Sequence, residues 1–303
     1  MISAEIIADS LSPTGVRLTT FEVEFHRFIL PEVNTHRVFS RNYQSSRAVP
    51  VDKLIEQVRK NPAMPVHWGA NQSGMVADNE LNDNAKLIAE EAWLKAAYEA
   101  SAQAERMNKY GAHKQIVNRV LEPFMWTRGV ITATDDGFES FFKLRCHPDA
   151  QPEIQALAYL MEDKYRKNAP IQLEHGDWHL PYIEWNKDND GQYFLSDEIT
   201  SLSEAVQVGC SSVAQVSYRR LDTSLEKAEK IYKMLNLPEN GVFPSAPPHF
   251  SPAEHCAMVV DENQYVDEFS HMDESTIGGN FNTVSFYQYR KMLEQGVEKV
   301  FVN

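Results

Sequence analysis

The stretch from Thr35 to Arg47, THRVFSRNYQSSR, has the composition of an anion-binding segment. It holds three arginines and four serine or threonine residues in thirteen positions, and it contains no acidic residue. Guanidinium groups make charge-assisted hydrogen bonds to oxyanions, and hydroxyl groups add neutral ones. Because the chain has a formal net charge of -14, repulsion disfavours a nucleic acid and favours a small phosphorylated molecule. The alternative is a solvated surface loop.

Ordered elements are predicted on both sides of this segment. Before it, Phe21, Val23 and Phe25 alternate with polar residues, which predicts a half-buried strand ending at Pro31. After it, residues 51–58 have helical spacing. A loop held between two such elements is rigid enough to bind a ligand.

Three further helices are predicted from apolar spacing, at residues 84–110, Asp149 to Lys167 and Leu225 to Leu235. The first lacks proline and glycine, and its apolar residues are expected to pack in the core. The segment 61–75 is rich in Pro, Gly and Asn, which indicates an irregular loop. An exposed turn is expected at Asp188 to Gly191.

The composition is that of a globular protein. With 303 residues and 43% hydrophobic content, the chain can bury a large core as one domain or two. No run approaches the roughly 20 apolar residues of a membrane helix, and no export signal is recognised, so the cytoplasm is expected. The three cysteines, Cys146, Cys210 and Cys256, form neither a disulfide framework nor a metal motif and are expected to be small buried side chains.

Two more arginines, Arg119 and Arg145, could contribute to the same chemistry. Phe138, Phe141 and Phe142 closely precede Arg145, which indicates that it projects from a largely buried element. An unpaired guanidinium is costly there, and a bound anion or a polarised carbonyl would satisfy it.

These residues carry a resemblance to a known family. The order of a His-Arg pair, a serine, an asparagine and a Ser-x-Arg resembles the signature of the flavin-dependent thymidylate synthases, the ThyX family. Four further blocks resemble that family: RVLEP (119–123), similar to Arg-x-x-Leu-Pro; FFKLRCHPDAQPEIQALA (141–158); SVAQVSY (212–218); and HFSPAEH (249–255).

The last two blocks precede the signature in ordinary members of the family but follow it here, which suggests a circular permutation. Such a rearrangement is tolerated when the original ends lie close in space. The resemblance implies an α+β fold with a mixed sheet flanked by long helices. It also implies one catalytic domain over residues 1–303, with a nucleotide-binding part at 1–170 and a permuted flavin-binding part at 205–303.

The resemblance implies a reaction as well. Members of the family methylate C5 of dUMP, with methylenetetrahydrofolate as carbon donor, FAD as the source of hydride and NADPH to reduce the flavin again. They use no cysteine nucleophile and form homotetramers. Arg145 would be catalytic, because a cation beside the pyrimidine carbonyls stabilises negative charge developing at N3 and O4.

The resemblance also assigns binding residues. The nucleotide would be bound by Glu32, Ser45, Ser46, Arg47, Arg119 and Arg145. The flavin would be bound by Thr35, His36, Arg37, Val38, Tyr43, Thr134, Ser140, Ser217, His249, Ser251 and Glu254. Thr134 and Ser140 stand where the family commonly has asparagines. Independently of the resemblance, HFSPAEH has the pattern of a helix start, with Ser251 as N-cap, Pro252 in the first turn and Glu254 completing a capping box.

Three departures from the signature leave the substrate open. Thr35 stands where the family generally has arginine, Tyr43 where glutamate is common, and Ser46 where glycine is common. Arg41 or Arg27 could replace the missing cation. The alternatives are another pyrimidine nucleotide, hydroxymethylation instead of methylation, or a nucleotide-binding module without turnover.

A metal site is a further alternative. Glu174, His175, Asp177 and His179 include ligand types that zinc accepts, but Gly176 and Pro181 disfavour the helix that would align the two histidines. No metal is therefore expected.

Overall fold

A five-stranded sheet forms the centre of the amino-terminal part. The computed structural model describes residues 1–183, 185–187, 193–195, 199, 201–217, 221–260 and 274–298. The strands of this sheet are β1 (Ser3–Leu11), β2 (Arg17–His26), β3 (Ser40–Tyr43), β4 (Trp126–Thr134) and β5 (Ile171–Gln172). Their order is β3-β4-β2-β1-β5, and neighbouring strands are antiparallel except β1 and β5, which are parallel. The predicted mixed sheet is therefore confirmed.

Two smaller sheets lie in the second half of the chain. Strands β6 (Trp178–His179), β9 (Ala257–Val259) and β10 (Phe286–Gln288) form an antiparallel sheet in the order β10-β9-β6. Strands β7 (Trp185–Lys187) and β8 (Tyr193–Leu195) form a hairpin. The turn expected at Asp188 to Gly191 lies outside the described residues.

Helices flank these sheets. The α-helices of the described residues are α1 (Leu30–Val33), α2 (Val51–Lys60), α3 (Asp83–Lys109), α4 (Lys114–Val117), α5 (Asp135–Arg145), α6 (Pro152–Lys167), α7 (Leu202–Ala214), α8 (Leu225–Met234), α9 (Glu274–Ile277) and α10 (Tyr289–Gln295). Short 3-10 helices are Arg27–Ile29, Asn118–Phe124, Gln215–Ser217, Ser251–His255 and Gly279–Phe281. None of the helices formed by these residues is long and apolar enough to cross a membrane. The α+β class is confirmed.

Most of the elements predicted from periodicity are present, and two of their boundaries are shifted by three or more residues. β2 ends at His26 and not at Pro31, because the chain turns into a 3-10 helix and then into α1. Pro31 lies in the first turn of α1, where its missing N–H leaves no hydrogen bond unmade. α6 begins at Pro152, three residues later than predicted, because proline favours the first helical position and disfavours helix in the residue before it.

The long helix α3 packs on the core along one face only, and most of the large apolar residues expected to lie there are on its exposed face. Its buried residues are the small Ala97, Ser101 and Ala104, which pack towards α2 and the 3-10 helix 118–124. Four of its large apolar side chains are exposed, Leu87, Ile88, Leu94 and Tyr98, whereas Trp93 and Met107 are partly buried against the same core cluster. Helical periodicity revealed the helix but not which of its faces would be covered.

The amino-terminal core lies between the five-stranded sheet and the helices α5 and α6. Phe21 of β2 meets Phe138 of α5 edge to face, with ring centroids 5.3 Å apart. Phe138, Phe141 and Phe142 are all buried, as their spacing before Arg145 predicted. Because these rings anchor α5, the end of that helix is fixed relative to the sheet.

Buried contacts join the amino- and carboxyl-terminal parts. Val130 of β4 packs with Val213 of α7 in one hydrophobic cluster. The Asn42 side chain on β3 donates to the Val213 carbonyl (2.8 Å) and accepts from the Ser251 hydroxyl (3.0 Å). The HFSPAEH block therefore lies beside the signature strand although the two are far apart in sequence.

A buried chain of hydrogen bonds also crosses between the two parts. Ser10 lies 2.8 Å from His179 Nδ1, Thr20 lies 2.7 Å from both His179 Nε2 and Thr132, and Thr132 lies 2.7 Å from His255 Nδ1. Burial lowers the pKa of His179 to about 4 and that of His255 to about 3, so both rings are neutral near pH 7. His255 Nε2 is buried without a partner among the described residues.

Candidate functional site

Arg145, the last residue of α5, contacts the start of the anion-binding segment. Its Nε donates to His36 Nε2 (2.9 Å), and its Nη2 donates to the Thr35 hydroxyl (3.0 Å) and the Glu32 carbonyl (3.4 Å). The guanidinium is half-buried. The Glu32 carbonyl accepts from it, and this is the polarised carbonyl that the sequence led us to expect beside Arg145. Arg145 therefore contacts three other residues of the predicted site, Glu32, Thr35 and His36.

His36 is a neutral ring that orients Arg145. Burial, and then the nearby charges of Arg145 and Arg41, lower the pKa of His36 to about 4. Since the arginine Nε always carries hydrogen, His36 Nε2 accepts and Nδ1 holds the proton. The ring packs between Phe39, at a centroid distance of 5.5 Å, and Phe141, at 4.9 Å. This packing fixes the acceptor that holds the guanidinium.

Glu32 places an unused acceptor in the helix turn that contacts Arg145. One of its carboxylate oxygens, Oε2, is buried and has no hydrogen-bond partner in the part of the chain that the structure describes. A buried acceptor without a partner is costly, and a ligand N–H or O–H would satisfy it. The unpartnered oxygen thus belongs to the residue whose backbone carbonyl accepts from Arg145.

A second polar group surrounds Glu122, in the 3-10 helix 118–124. The carboxylate oxygen Oε1 accepts from the Ser46 hydroxyl (2.9 Å) and from Arg119 Nη1 (2.8 Å), and Arg27 Nη2 lies 3.6 Å from it. Ser46 and Arg119, both expected to bind the nucleotide, are thus brought together. We name Ser46, Arg119, Arg27 and Glu122 the Glu122 group.

The sequence had pointed to each member of the Glu122 group except Glu122 itself. The sequence did contain one sign of Glu122: within RVLEP it stands at the position where the family's Arg-x-x-Leu-Pro block has leucine. Arg145 makes no hydrogen bond to a member of this group among the described residues. Ser45 accepts a hydrogen bond from the Arg47 backbone N–H (3.3 Å), and the Arg47 side chain is exposed.

The residues expected to bind flavin fall into two groups by exposure. Thr35 is exposed although it contacts Arg145, and the other exposed members of the set are Arg37, Val38, Ser140 and His249. The side chain of Ser217 lies outside the described residues.

Other members of this set are already engaged within the fold. The Tyr43 ring packs edge to face on Phe25, and burial raises the pKa of its hydroxyl, which has no partner in the described part of the chain. The Thr134 hydroxyl donates to the Phe281 carbonyl (3.5 Å). Glu254 is buried and paired with Arg290. Burial raises the pKa of Glu254, and Arg290 opposes that rise.

The helix start at HFSPAEH does not have the predicted cap. Phe250 is the N-cap residue, and Ser251 is the first residue of a 3-10 helix. Ser251 uses its hydroxyl on Asn42 and Glu254 uses its carboxylate on Arg290, so neither side chain caps the helix. Tertiary partners outcompete the local capping box here.

The histidines and acids near residue 175 do not form a metal site. Both ring nitrogens of His179 are taken by hydroxyl groups, and His175 Nδ1 lies 3.2 Å from the Val260 carbonyl. Over the described residues, no group of three or more His, Cys, Asp or Glu side chains could hold a metal ion.

The cysteines are not placed for nucleophilic chemistry. Burial, and then the neighbouring Glu162, raise the pKa of Cys146 to about 12, which keeps its thiol protonated. Cys210 and Cys256 are buried, with their sulfur atoms 3.7 Å apart. The expectation that the cysteines are buried holds for these two, whereas Cys146 is only partly buried.

Comparison with known proteins places the chain in a family. A family model described as thymidylate synthase complementing protein matches residues 8–171. No curated protein sequence matches the chain.

Solved structures show weaker likeness. The UMP/dUMP methylase PolB from Streptomyces cacaoi bound with 5-Br UMP is 18% identical over 55% of this chain and 89% of that one, with a TM-score of 0.45. The same methylase with 5-Br dUMP is 21% identical over 50% and 67% of the two chains, with a TM-score of 0.42. Thymidylate Synthase X from Helicobacter pylori with FAD and dUMP is 16% identical over 49% and 67%, with a TM-score of 0.36. Because the family match at residues 8–171 spans more than half of the 303 residues, the chain belongs to the thymidylate synthase complementing protein family.

Proposed function

We propose that this protein is a flavin-dependent thymidylate synthase that converts dUMP to dTMP. Methylenetetrahydrofolate supplies the carbon, and NADPH supplies the reducing equivalents. Family membership supports the proposal, and the contact of Arg145 with Thr35 and His36 carries it, since that contact unites the residues assigned to catalysis and cofactor binding. Free nucleotide and NADPH as substrates suit a cytoplasmic enzyme.

The polar groups at the end of α5 complement a uracil ring. Uracil presents a donor at N3 between two carbonyl acceptors. Arg145 offers guanidinium donors, and Glu32 offers a buried acceptor that no described residue uses. Because the guanidinium is held by neutral His36, its full charge is available to stabilise negative charge that develops at N3 and O4.

The exposed members of the flavin set fit a dinucleotide cofactor. Arg37 is an exposed cation that would pair with a pyrophosphate, and Val38, Ser140 and His249 would contact the rest of the molecule. Bound FAD, once reduced, would supply the hydride that turns the transferred carbon into a methyl group. Thr134 and Glu254, which are buried, and Tyr43, which is partly buried, would support this site through the fold.

We also propose that residues 1–303 form one catalytic domain in permuted order. The hydrogen bonds of Asn42 to Val213 and Ser251 support this arrangement, because they attach the HFSPAEH block to the signature strand. A homotetramer is proposed as well. The exposed apolar side chains of α3 support it, since an exposed apolar patch favours association.

The second candidate is a related enzyme that transfers a one-carbon unit, such as a hydroxymethyl group, to another pyrimidine nucleotide. The observation that favours it is Thr35. In place of a guanidinium, this residue offers one hydroxyl, which donates to the Glu32 carbonyl (2.7 Å) and accepts from Arg145. A non-catalytic nucleotide-binding module is the third candidate.

The absorption spectrum of the purified protein, followed by product analysis, tests these candidates. The favoured function predicts a yellow protein that forms dTMP from dUMP, methylenetetrahydrofolate and NADPH. A 5-hydroxymethyl product, or turnover of another pyrimidine nucleotide alone, would establish the second candidate. Nucleotide binding without flavin reoxidation would indicate the module. A colourless protein that gains no FAD on reconstitution would refute the flavin-dependent function.

A further inference from the structure

The carboxylate of Glu122 is surrounded by donors of the kind that bind an oxyanion. Its Oε1 receives hydrogen bonds from Ser46 and Arg119, and the Arg27 guanidinium lies 3.6 Å away. Two guanidinium groups and a hydroxyl around one oxygen form the kind of arrangement that also binds a phosphate oxygen. Two of the residues expected to bind the nucleotide, Ser46 and Arg119, therefore direct their donors to a carboxylate of the same chain.

The two deeper donors of the Glu122 group are fixed, and the carboxylate is the part that can move. Ser46 is buried, and the Arg27 guanidinium is further held by the Gln44 carbonyl (3.3 Å) and the Thr127 hydroxyl (3.4 Å). The side chain of Glu122 is 25% exposed and that of Arg119 is 51% exposed. Glu122 can therefore turn towards solvent while Ser46 and Arg27 stay in place.

The charges of the group require an anion at all times. Burial lowers the pKa of Arg27, Glu122 counteracts this effect, and the neighbouring Arg119 adds to it. If Glu122 left without replacement, the Arg27 and Arg119 guanidinium groups would lose the carboxylate that they share. A phosphate that replaces the carboxylate would again supply negative charge to both guanidinium groups.

We propose that Glu122 is a specificity-determining residue that competes, as a tethered anion, with the phosphate of the nucleotide. The inference rests on the proposed function, because the phosphate that we assign to the Glu122 group is that of the nucleotide substrate. A phosphate must displace the carboxylate to bind, which weakens every phosphate ligand by the same factor. A nucleoside has no phosphate and does not pay this penalty. Glu122 thus sets how strongly the site prefers a nucleotide to a nucleoside.

Isothermal titration of the full-length protein with dUMP, deoxyuridine and inorganic phosphate tests the proposal. Glu122→Gln keeps the shape and removes the charge. It should bind dUMP and inorganic phosphate about tenfold more tightly or better, because a hydrogen bond to a charged group is lost from the competing state. The affinity for deoxyuridine should not change. Glu105→Gln, which removes a carboxylate paired with Arg59 on the exposed side of α3, is the matched control and should change none of the affinities.

Glu122→Asp provides a second variant. It keeps the charge but shortens the side chain, so the carboxylate reaches the donors less well and phosphate should bind with intermediate affinity. Unchanged or weaker binding of phosphate to Glu122→Gln would overturn the proposal, because Glu122 would then support the arginines and not compete with the ligand. Weaker binding of deoxyuridine would also overturn it, since Glu122 would then be an acceptor for a sugar hydroxyl.

The phosphate titration separates this inference from the proposed function. If dUMP fails to bind while inorganic phosphate binds more tightly to Glu122→Gln, the proposed substrate is wrong and the competing role of Glu122 stands. If the protein converts dUMP but Glu122→Gln shows no gain in phosphate affinity, only the inference falls.

Discussion

The buried histidines His179 and His255 should make the protein sensitive to mild acid. Both have a pKa lowered from 6.5, to about 4 and about 3 respectively. The unfolded chain therefore binds more protons than the folded one between pH 6.5 and pH 4, and the free energy of unfolding falls as the pH falls through that range. Their contribution is constant above pH 7.

The size of the effect follows from the two pKa values. When the pH falls from 7 to 5, each histidine lowers the free energy of unfolding of the protein by about 2 kcal/mol, and the two together lower it by about 4 kcal/mol. That is a large share of the roughly 5–15 kcal/mol that stabilises a typical domain. The variant His255→Asn removes one titrating ring and keeps a polar group near the position of Nδ1, which contacts Thr132. Between pH 7 and pH 5, this variant should lose about 2 kcal/mol less unfolding free energy than the wild type loses.

Urea unfolding followed by tryptophan fluorescence at pH 7 and pH 5 measures this difference. His147→Asn replaces an exposed histidine and is the control. His36, also with a pKa lowered to about 4, is present in every variant, so its contribution cancels. If wild type and His255→Asn lose the same unfolding free energy within about 0.5 kcal/mol, the buried ring is not the source of the acid sensitivity and the reasoning fails.

The remaining predictions concern the site and the core. Arg145→Ala should abolish dTMP formation while the flavin absorbance is retained, and a variant that still turns over at the wild-type rate would contradict the role given to Arg145. Arg47→Ala should raise the dUMP dissociation constant about tenfold or more, measured by titration, whereas an unchanged constant counts against its phosphate contact. Phe138→Ala should lower the free energy of unfolding by about 3–5 kcal/mol, because it empties the centre of the cluster under α5, and a loss below about 1 kcal/mol in urea unfolding would show that the cluster is loosely packed. Gly129→Ala should cost about 1–3 kcal/mol in the same assay, since a Cβ there would meet the Tyr43 ring at 2.1 Å, and an unaffected midpoint would mean that the ring can move.

The sequence predicted features that depend on local periodicity. The alternation of Phe21, Val23 and Phe25 indicated β2, and the phenylalanines before Arg145 indicated a buried helix with a polar end. The position of Arg145 beside Thr35 and His36 followed only from the resemblance to a family. The sequence spacing of more than 100 residues carried no sign of that contact.

Features that depend on distant partners could not be predicted in this way. Glu122 reads locally as a surface partner of Arg119, three residues before it, and its contact with Ser46 joins residues 76 positions apart. The exposure of one face of α3 could not be predicted for the same reason. Periodicity shows which side chains share a face of the helix, but it does not show which face packs against another part of the chain. In the case of Ser251, a strong local capping pattern was displaced by a distant partner, Asn42.

The hydrogen bonds of Asn42 have a consequence for the order in which the chain is made. Asn42 leaves the ribosome 209 residues before its partner Ser251. At about 5–20 residues per second, roughly 10–40 s pass between the two. Until Val213 is made, 171 residues after Asn42, the Asn42 amide has neither of these partners and Val130 lacks the Val213 side chain that packs on it. A segment made late, around Ser251, therefore completes the contacts of a strand made early, around Asn42. A chain released before Ser251 would lack this hydrogen bond.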